Sequence, residues 1–429
     1  MSRPCCIGVD LDTSGCRAVA IDRRRRVVAE AWTDLPEPVW AGASGVEQDP
    51  QLWRNALIRV LRELTGRLAC WVPQALCLDG TSATLLLCGP EGTPLGPALM
   101  YNDSRGVAEV ESIEQVAPPL SPARGAGSSL AKLLVLKRRL HPGPGTLALH
   151  QTDWLLGYLT GRYGVSDWNN CLKLGFDART LRWPQWLSRL GLEPVGLPRA
   201  VSPGTGLGRV NAAAAQATGL PVSTLVLAGT TDSTAAVVAA EALTPGDAVT
   251  CLGSTLVLKI IGQDPIAAPR YGVYSHRFGT RWLIGGASNS GGAVLRRYFD
   301  DGEIRRLSAT LDPDRPTGPD YYPLPALGER FPTHDPALQP RMGPRPADDG
   351  RFLQGLLEGI ARIETAGYRR LHRLGAPSPN RVLTTGGGAA NAGWTEIRKR
   401  YLGVPVVPAL HQEASYGAAI IALTGGIPA

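Results

Sequence analysis

The chain has 429 residues, 44% of them hydrophobic and 19% charged, the make-up of an ordinary globular protein and not of a disordered one; the length suits two or three domains. No uninterrupted apolar run reaches the roughly 18 residues of a membrane span, so none is expected. The net charge of +7 comes from 44 basic residues, only five of them lysines; the arginines are scattered and do not alternate with aromatics as an RNA-binding face requires, so nucleic acid is not expected as a partner.

The first element is a strand–turn–strand module. Cys5–Val9 is apolar, Asp10-Leu11-Asp12-Thr13-Ser14-Gly15 turns, and Cys16–Asp22 leaves the turn as a second apolar run. Because the strand begins by Cys5, no room is left for a leader; a cytoplasmic compartment is expected, or a plastid stroma had a transit peptide been removed. Arg23–Arg26 falls where a hairpin should turn, as a solvated cluster. The eight cysteines form no C-x-x-C pair, and several lie in apolar runs; reduced buried thiols are expected, not zinc or disulfides.

Asp49–Leu68 has apolar residues at helical spacing. The strand Ala75–Asp79 runs into Gly80-Thr81-Ser82-Ala83-Thr84, and Leu85–Cys88 continues beyond a turn of small residues. Tyr101-Asn102-Asp103-Ser104-Arg105 opens a further helix, and Leu130–Leu140 and Asp153–Leu159 read as two more. Pro198–Val222 is loop-like; the strand Thr224–Ala228 then leads into Gly229-Thr230-Thr231-Asp232. A domain change is expected here, giving domains 1–227 and 228–429, with the last helix free to pack back on the first.

The strand–turn–strand pattern recurs at Ala248–Lys259, around Gly253-Ser254-Thr255. Successive N–H groups and hydroxyls at such turns make anion-binding concavities, and two of them suggest two lobes gripping one polyphosphate. Asp10 offers the carboxylate that Mg²⁺ prefers. The Pro-rich stretch Asp312–Pro346 is expected to be an ordered surface loop. Asp349–Arg373 reads as a helix, Arg381–Thr385 as a strand before Gly386-Gly387-Gly388, and Glu413–Leu423 as a small-residue helix. Alternating strands and helices indicate an α/β fold. No P-loop and no G-x-S-x-G elbow occurs, and Gly204–Gly208 lacks the strand a dinucleotide loop needs.

Taken in order, these segments resemble the FGGY carbohydrate kinase family of the actin/hexokinase-like superfamily. Asp10–Gly15 through Arg17 resembles its first phosphate motif, Tyr101–Arg105 its W-N-D-x-R block, and Ser129–Leu134 with Lys132 its P-K-L-L helix start. Asp153–Gly161 resembles D-x-L-x-x-x-L-T-G, Gly229–Ser233 the segment with the catalytic aspartate, and Leu252–Thr255 the second phosphate motif. Gly328-Glu329-Arg330 with Pro332 resembles G-E-R-x-P, and Gly386–Asn391 the adenosine motif.

The resemblance implies two ribonuclease H-like domains around an ATP and sugar cleft, Mg²⁺ and ATP as cofactors, a small sugar as the other partner, and a monomer or homodimer. It implies Asp232 as general base toward a sugar hydroxyl; Thr13, Ser14, Gly15, Arg17, Gly253, Ser254 and Thr255 on the phosphates; Gly386, Gly387, Gly388 and Asn391 on adenosine; and Asp10 on the metal. Ser82, Asp103 and Asp232 form the sugar-facing set. Simpler readings stand beside these. Asp232 and Asp103 also suit helix caps, Asp10 a strand-end turn, Arg17 a solvated strand position, and the triple glycine a tight turn.

Two departures bear on function. The family has glycine where Asp12 stands, which costs strain if the turn needs positive φ and sets a second carboxylate near the phosphates. Xylulose kinases carry Q-M-H-G where this chain has Gly80-Thr81-Ser82-Ala83. The D-G-T-S-x-T loop, the G-T-T-D-S segment and the short length look most like the pentulose kinases of cyanobacteria and plants, which implies D-ribulose as acceptor, with D-xylulose or another polyol as the alternative. From a different class comes a nucleotide- or sugar-binding protein that kept the fold and turns over weakly, a reading that Asp12 favours.

Overall fold

The computed structural model describes residues 3–428. Its first apolar run forms β1 (Arg3–Leu11), β2 (Gly15–Ile21) and β3 (Val27–Asp34), three antiparallel strands joined by tight turns. Asp22 accepts the N–H groups of Arg24 and Arg26, so the arginine cluster is a hairpin turn. The helix α1 (Pro50–Arg67) comes next, its first turn closed by Asp49, which accepts the Gln51 N–H. Trp53, Leu57, Val60, Leu61 and Leu64 share its buried face.

The next strand, β4 (Trp71–Gly80), lies parallel to β1, and Asp79 is in register with Asp10. Then come α2 (Ser129–Leu140), α3 (Gln151–Thr160), β5 (Gly206–Arg209), β6 (Leu225–Thr231) and α4 (Asp232–Ala239). The sheet order is β5-β6-β4-β1-β2-β3. The chain divides into two compact units, one reaching Ala239 and regaining Glu413–Pro428, the other Ala240–Gln412. The change therefore comes after Ala239 and not after 227, because β6 pairs in parallel with β4 and carries Asp232 into the first unit with it.

Two other expectations need revision. Pro198–Val222 is not a plain loop: it holds strands at Arg199–Val201 and Gly206–Arg209 and the helix Ala212–Thr218. These elements are three to seven residues long, too short for a periodic signal. Tyr101–Arg105 leads into a 3-10 turn and the short helix Val110–Glu114, not one continuous helix.

In the second unit β7 (Asp247–Leu252), β8 (Leu256–Gly262), β9 (Tyr274–Phe278) and β10 (Arg281–Ser288) precede α5 (Asp349–Arg373), β11 (Arg381–Thr385), α6 (Ala392–Leu402) and β12 (Val406–Pro408). The sheet order is β9-β10-β8-β7-β11-β12. Each unit thus repeats one plan, an antiparallel strand on one side of the first strand and parallel strands next to it on the other, with the antiparallel β5 added at the edge in the first unit. Asp312–Pro346 is a loop pinned by bridges at Tyr322–Arg341 and Glu329–Asp335.

The last helix, α7 (Ala414–Thr424), belongs to the first unit and lies against β1. Small residues permit this contact. A Cβ on Gly8 would fall 1.9 Å from the Ser415 carbonyl oxygen, and one on Gly417 1.9 Å from that of Ala235. Backbone cannot yield as a side-chain tip does. Gly8→Ala is therefore expected to cost about 3 kcal/mol, the upper end for overpacking, read as a lower urea midpoint; an unchanged midpoint contradicts this packing.

Candidate active site

Strand order and register bring three aspartates to one end of the first sheet. Asp10 and Asp79 are register partners near the C-terminal ends of β1 and β4. The pairing of β6 with β4 slips between Leu227 and Thr230, so that Thr230 faces Asp79 and Thr231 faces Gly80. Here the backbones nearly touch: a Cβ on Gly229 would lie 2.0 Å from the Leu78 carbonyl oxygen. Such irregularities re-aim the chain beyond them. The next residue past β6 is Asp232, the first of α4, whose carboxylate accepts the Ser233 N–H.

Burial pushes the Asp10 carboxyl up to about 7, a hydrogen bond with Asp79 opposes this, and the charges of Asp232, Asp12 and Glu413 push it further up. Burial also holds Asp79 well above the usual carboxylate range, reinforced by the charge of Asp10, their shared hydrogen bond, and the charges of Asp232 and Asp12. With both groups ionised, neither oxygen of the fully buried Asp79 has a donor, nor does Oδ1 of Asp10. A proton shared by the pair supplies one partner; a hard cation would satisfy oxygens of this kind equally well. Among the described residues no cluster of three or more metal-ligating side chains forms, so these two carboxylates would hold Mg²⁺ only together with water and phosphate oxygens.

Asp79 is a site residue that the sequence reading passes over. Its signal was there: like Asp10, it closes an apolar strand just before a turn of small residues and hydroxyls.

The first phosphate turn is a hairpin closed by the Asp12 N–H donating to the Gly15 carbonyl (3.0 Å). Asp12 lies outside the residues with positive φ, so the expected backbone strain is absent. Its carboxylate instead accepts the Thr13 N–H (2.6 Å) and the Thr13 hydroxyl (3.3 Å), the very donors assigned to phosphate. Arg17, in register with Asp10, pairs with Glu413 at 2.8 Å.

Around Ser82 the turn is tied from both sides. Gln151 Oε1 accepts the Thr81 N–H (3.1 Å) and hydroxyl (3.0 Å), and the Thr81 and Thr84 hydroxyls are 2.6 Å apart. Ala83 has φ +71°; its carbonyl accepts from Lys132 Nζ. Ser82 itself is half-buried.

Asp103 is held at the start of the 3-10 turn. It is wholly buried, and its Oδ2 accepts the Val46 N–H (2.8 Å) and both Nε (2.9 Å) and Nη2 (2.7 Å) of Arg105, while Oδ1 accepts the Arg105 N–H (3.1 Å). That is a structural anchor, and it leaves no exposed carboxylate for a sugar.

In the second unit Gly253-Ser254-Thr255 join β7 to β8, and the Gly253 and Ser254 carbonyls accept the N–H groups of Gly292 and Ala293. The triple glycine comes directly after β11, the parallel neighbour of β7. Cβ atoms on Gly386 and Gly388 would crowd Leu252, the residue before Gly253, whereas one on Gly387 would meet nothing within 4 Å. The two motifs therefore share one strand-end corner. Packing explains two of the glycines, and Gly387 alone has open space. Asn391 caps α6, accepting the Trp394 N–H (2.9 Å), and donates to the Ser308 hydroxyl (2.8 Å).

Behind the first-unit site lies a buried polar layer. Asn169 Nδ2 donates to the Thr230 hydroxyl (3.1 Å), and Asp167 accepts the Asn169 and Asn170 N–H groups. Burial, helped by the charge of Asp153, pushes the Asp167 carboxyl up to about 7. An unfolded aspartate loses its proton near 4, so across that window the folded chain holds more protons and stability falls as pH rises. Urea unfolding should give lower stability at pH 8 than at pH 5.5. Asp167→Asn should remove part of that slope, on the order of 1–3 kcal/mol; an unaltered slope contradicts the assignment.

Comparison with known proteins gives the family. Residues 5–239 match the model of the N-terminal domain of the FGGY family of carbohydrate kinases, and residues 248–425 that of its C-terminal domain. A xylulose kinase from Streptomyces coelicolor is 29% identical over 440 residues, covering 97% of this chain and 87% of that protein. A glycerol kinase from Gloeobacter violaceus is 26% identical, covering 98% and 88%. Among solved structures, the xylulose kinase from Rhodospirillum rubrum superposes with a TM-score of 0.86 at 23% identity, covering 98% of this chain and 90% of that one. Among the described residues, no helix is long and apolar enough to cross a membrane.

Proposed function

The chain belongs to the FGGY family of carbohydrate kinases, phosphotransferases that move a phosphoryl group from ATP to a sugar hydroxyl, and from that membership we propose that its acceptor is a ketopentose, D-ribulose in the finer reading. The observation that supports phosphoryl transfer itself is the gathering of Asp10, Asp79 and Asp232 at one strand end. A neutral alcohol must lose its proton as it attacks phosphorus, and Asp232 is the group to take it. Asp10, with Asp79 behind it, would hold Mg²⁺, which supplies charge neutralisation to the phosphates when bound. Thr13, Ser14 and Gly15 serve the phosphates in the first unit and Gly253, Ser254 and Thr255 in the second, with Gly387 allowing close approach of adenosine.

D-ribulose rests on Gly80-Thr81-Ser82 in place of the histidine-bearing loop, with Ser82 and Asp232 facing the sugar. D-xylulose is the second reading, favoured by the xylulose kinases among the relatives. ADP release with D-ribulose, D-xylulose, L-ribulose, ribitol and glycerol tests both. Stimulation by D-ribulose supports the first reading, stimulation by D-xylulose alone replaces it with the second, and stimulation only by glycerol or ribitol removes the ketopentose.

Asp12 is expected to weaken nucleotide binding by competing for the Thr13 N–H. Asp12→Gly should tighten a non-hydrolysable ATP analogue three- to tenfold, or about 1 kcal/mol, by calorimetry with Mg²⁺ present. Weaker binding in the variant would mean that Asp12 helps the metal instead.

A further inference from the structure

We propose that Lys132 is a positioning residue, which fixes the Thr81–Thr84 turn and so the hydroxyl of Ser82; this rests on the reading of Ser82 as sugar-facing. Lys132 lies in α2 and is fully buried. Its ammonium donates to three backbone carbonyls from separate segments: Ala83 (2.9 Å), Tyr101 (3.1 Å) and Gly127 (3.0 Å). Three donors meet three acceptors, and no hydrogen bond from its Nζ to a carboxylate is among them. Burial pulls the Lys132 ammonium down to about 7, a desolvation cost that its three carbonyl bonds offset, and a methionine would leave those carbonyls without this donor.

What the ammonium grips bears on the site. Ala83 holds a left-handed conformation, φ +71°, which is strained for an L-residue. Lys132 binds the carbonyl of that strained residue, while Gln151 binds the other end of the turn at Thr81. Ser82 stands between the two anchored residues. The same ammonium ties the turn to Tyr101, so that two motif segments share one fixed point.

Lys132→Met, Ser82→Ala and the double variant would be compared in steady-state kinetics with the preferred sugar, alongside calorimetry of an ATP analogue. Lys132→Met is expected to raise the sugar KM tenfold or more while the analogue affinity stays within twofold. In the Ser82→Ala background it should cost little further, because both changes remove one interaction. An unchanged sugar KM in Lys132→Met, or full additivity, overturns the proposal. An unchanged sugar KM in Ser82→Ala overturns the reading of Ser82 instead, so the two failures are distinct.

Should Lys132→Met not fold, Ala83→Gly carries the test. It keeps the lysine, relieves the left-handed strain and loosens the turn. A sugar KM raised a few-fold with no loss of melting temperature supports the clamp, and an unchanged KM overturns it.

Discussion

Asp232→Ala is expected to lower kcat about a hundred- to ten-thousandfold while leaving the fold and the affinity for an ATP analogue nearly intact. A positioned general base contributes about 10²–10⁴ in rate, and no neighbour is placed to substitute without cost. Asp10 and Asp79 form a register pair, and burial raises both carboxyls above the usual range. Asp232 instead heads α4 in a half-buried position. The competing view makes it a helix cap, and that view has its own signature: about 1 kcal/mol of stability lost with turnover kept. Measuring kcat and melting temperature together separates the two, since loss of a base empties the first and spares the second.

Arg398→Leu should cost about 3–5 kcal/mol in urea unfolding, the largest stability effect expected in the second unit. Arg398 and Glu364 are both fully buried and meet through two bonds of 2.7 Å, from Nε to Oε2 and from Nη2 to Oε1. Arg398 Nη1 also donates to the Thr384 hydroxyl (2.7 Å), and Thr250 donates to Glu364 (2.6 Å). The network thus ties α5 and α6 to β7 and β11, the two strands that end in the nucleotide-type turns. Removing the arginine alone strands a carboxylate in the core. Replacing both, as Arg398→Leu with Glu364→Leu, should recover much of the loss because no charge is left unpaired. If the double variant is no better than the single one, the cost lies in packing and not in the lone charge.

Much of this was legible in the residues. Apolar runs entering turns of small residues marked β1–β2 and β7–β8, and helical spacing located α1 and α5 almost to the residue. What stayed hidden was decided by pairing between distant segments. Asp79 matters because β4 sets it in register with Asp10, a fact no local window contains. Asp103 looked available to a ligand until Arg105 and the Val46 N–H claimed it. The boundary at 227 follows from the nearness of the second strand–turn–strand module, whereas the parallel pairing of β6 with β4 assigns Asp232 to the first unit. Asp12 shows the converse. It raised two concerns, backbone strain and a second carboxylate near the turn; the strain is absent, and the carboxylate is bound to the Thr13 N–H.

The most direct test is a phosphorus NMR spectrum of the protein with ATP, Mg²⁺ and D-ribulose. Loss of the γ-phosphate signal, with ADP and a phosphomonoester signal split by the protons of a CH₂–O group, is the predicted result. ATP left intact beside the sugar, or ADP accompanied only by inorganic phosphate, would contradict phosphoryl transfer to this acceptor.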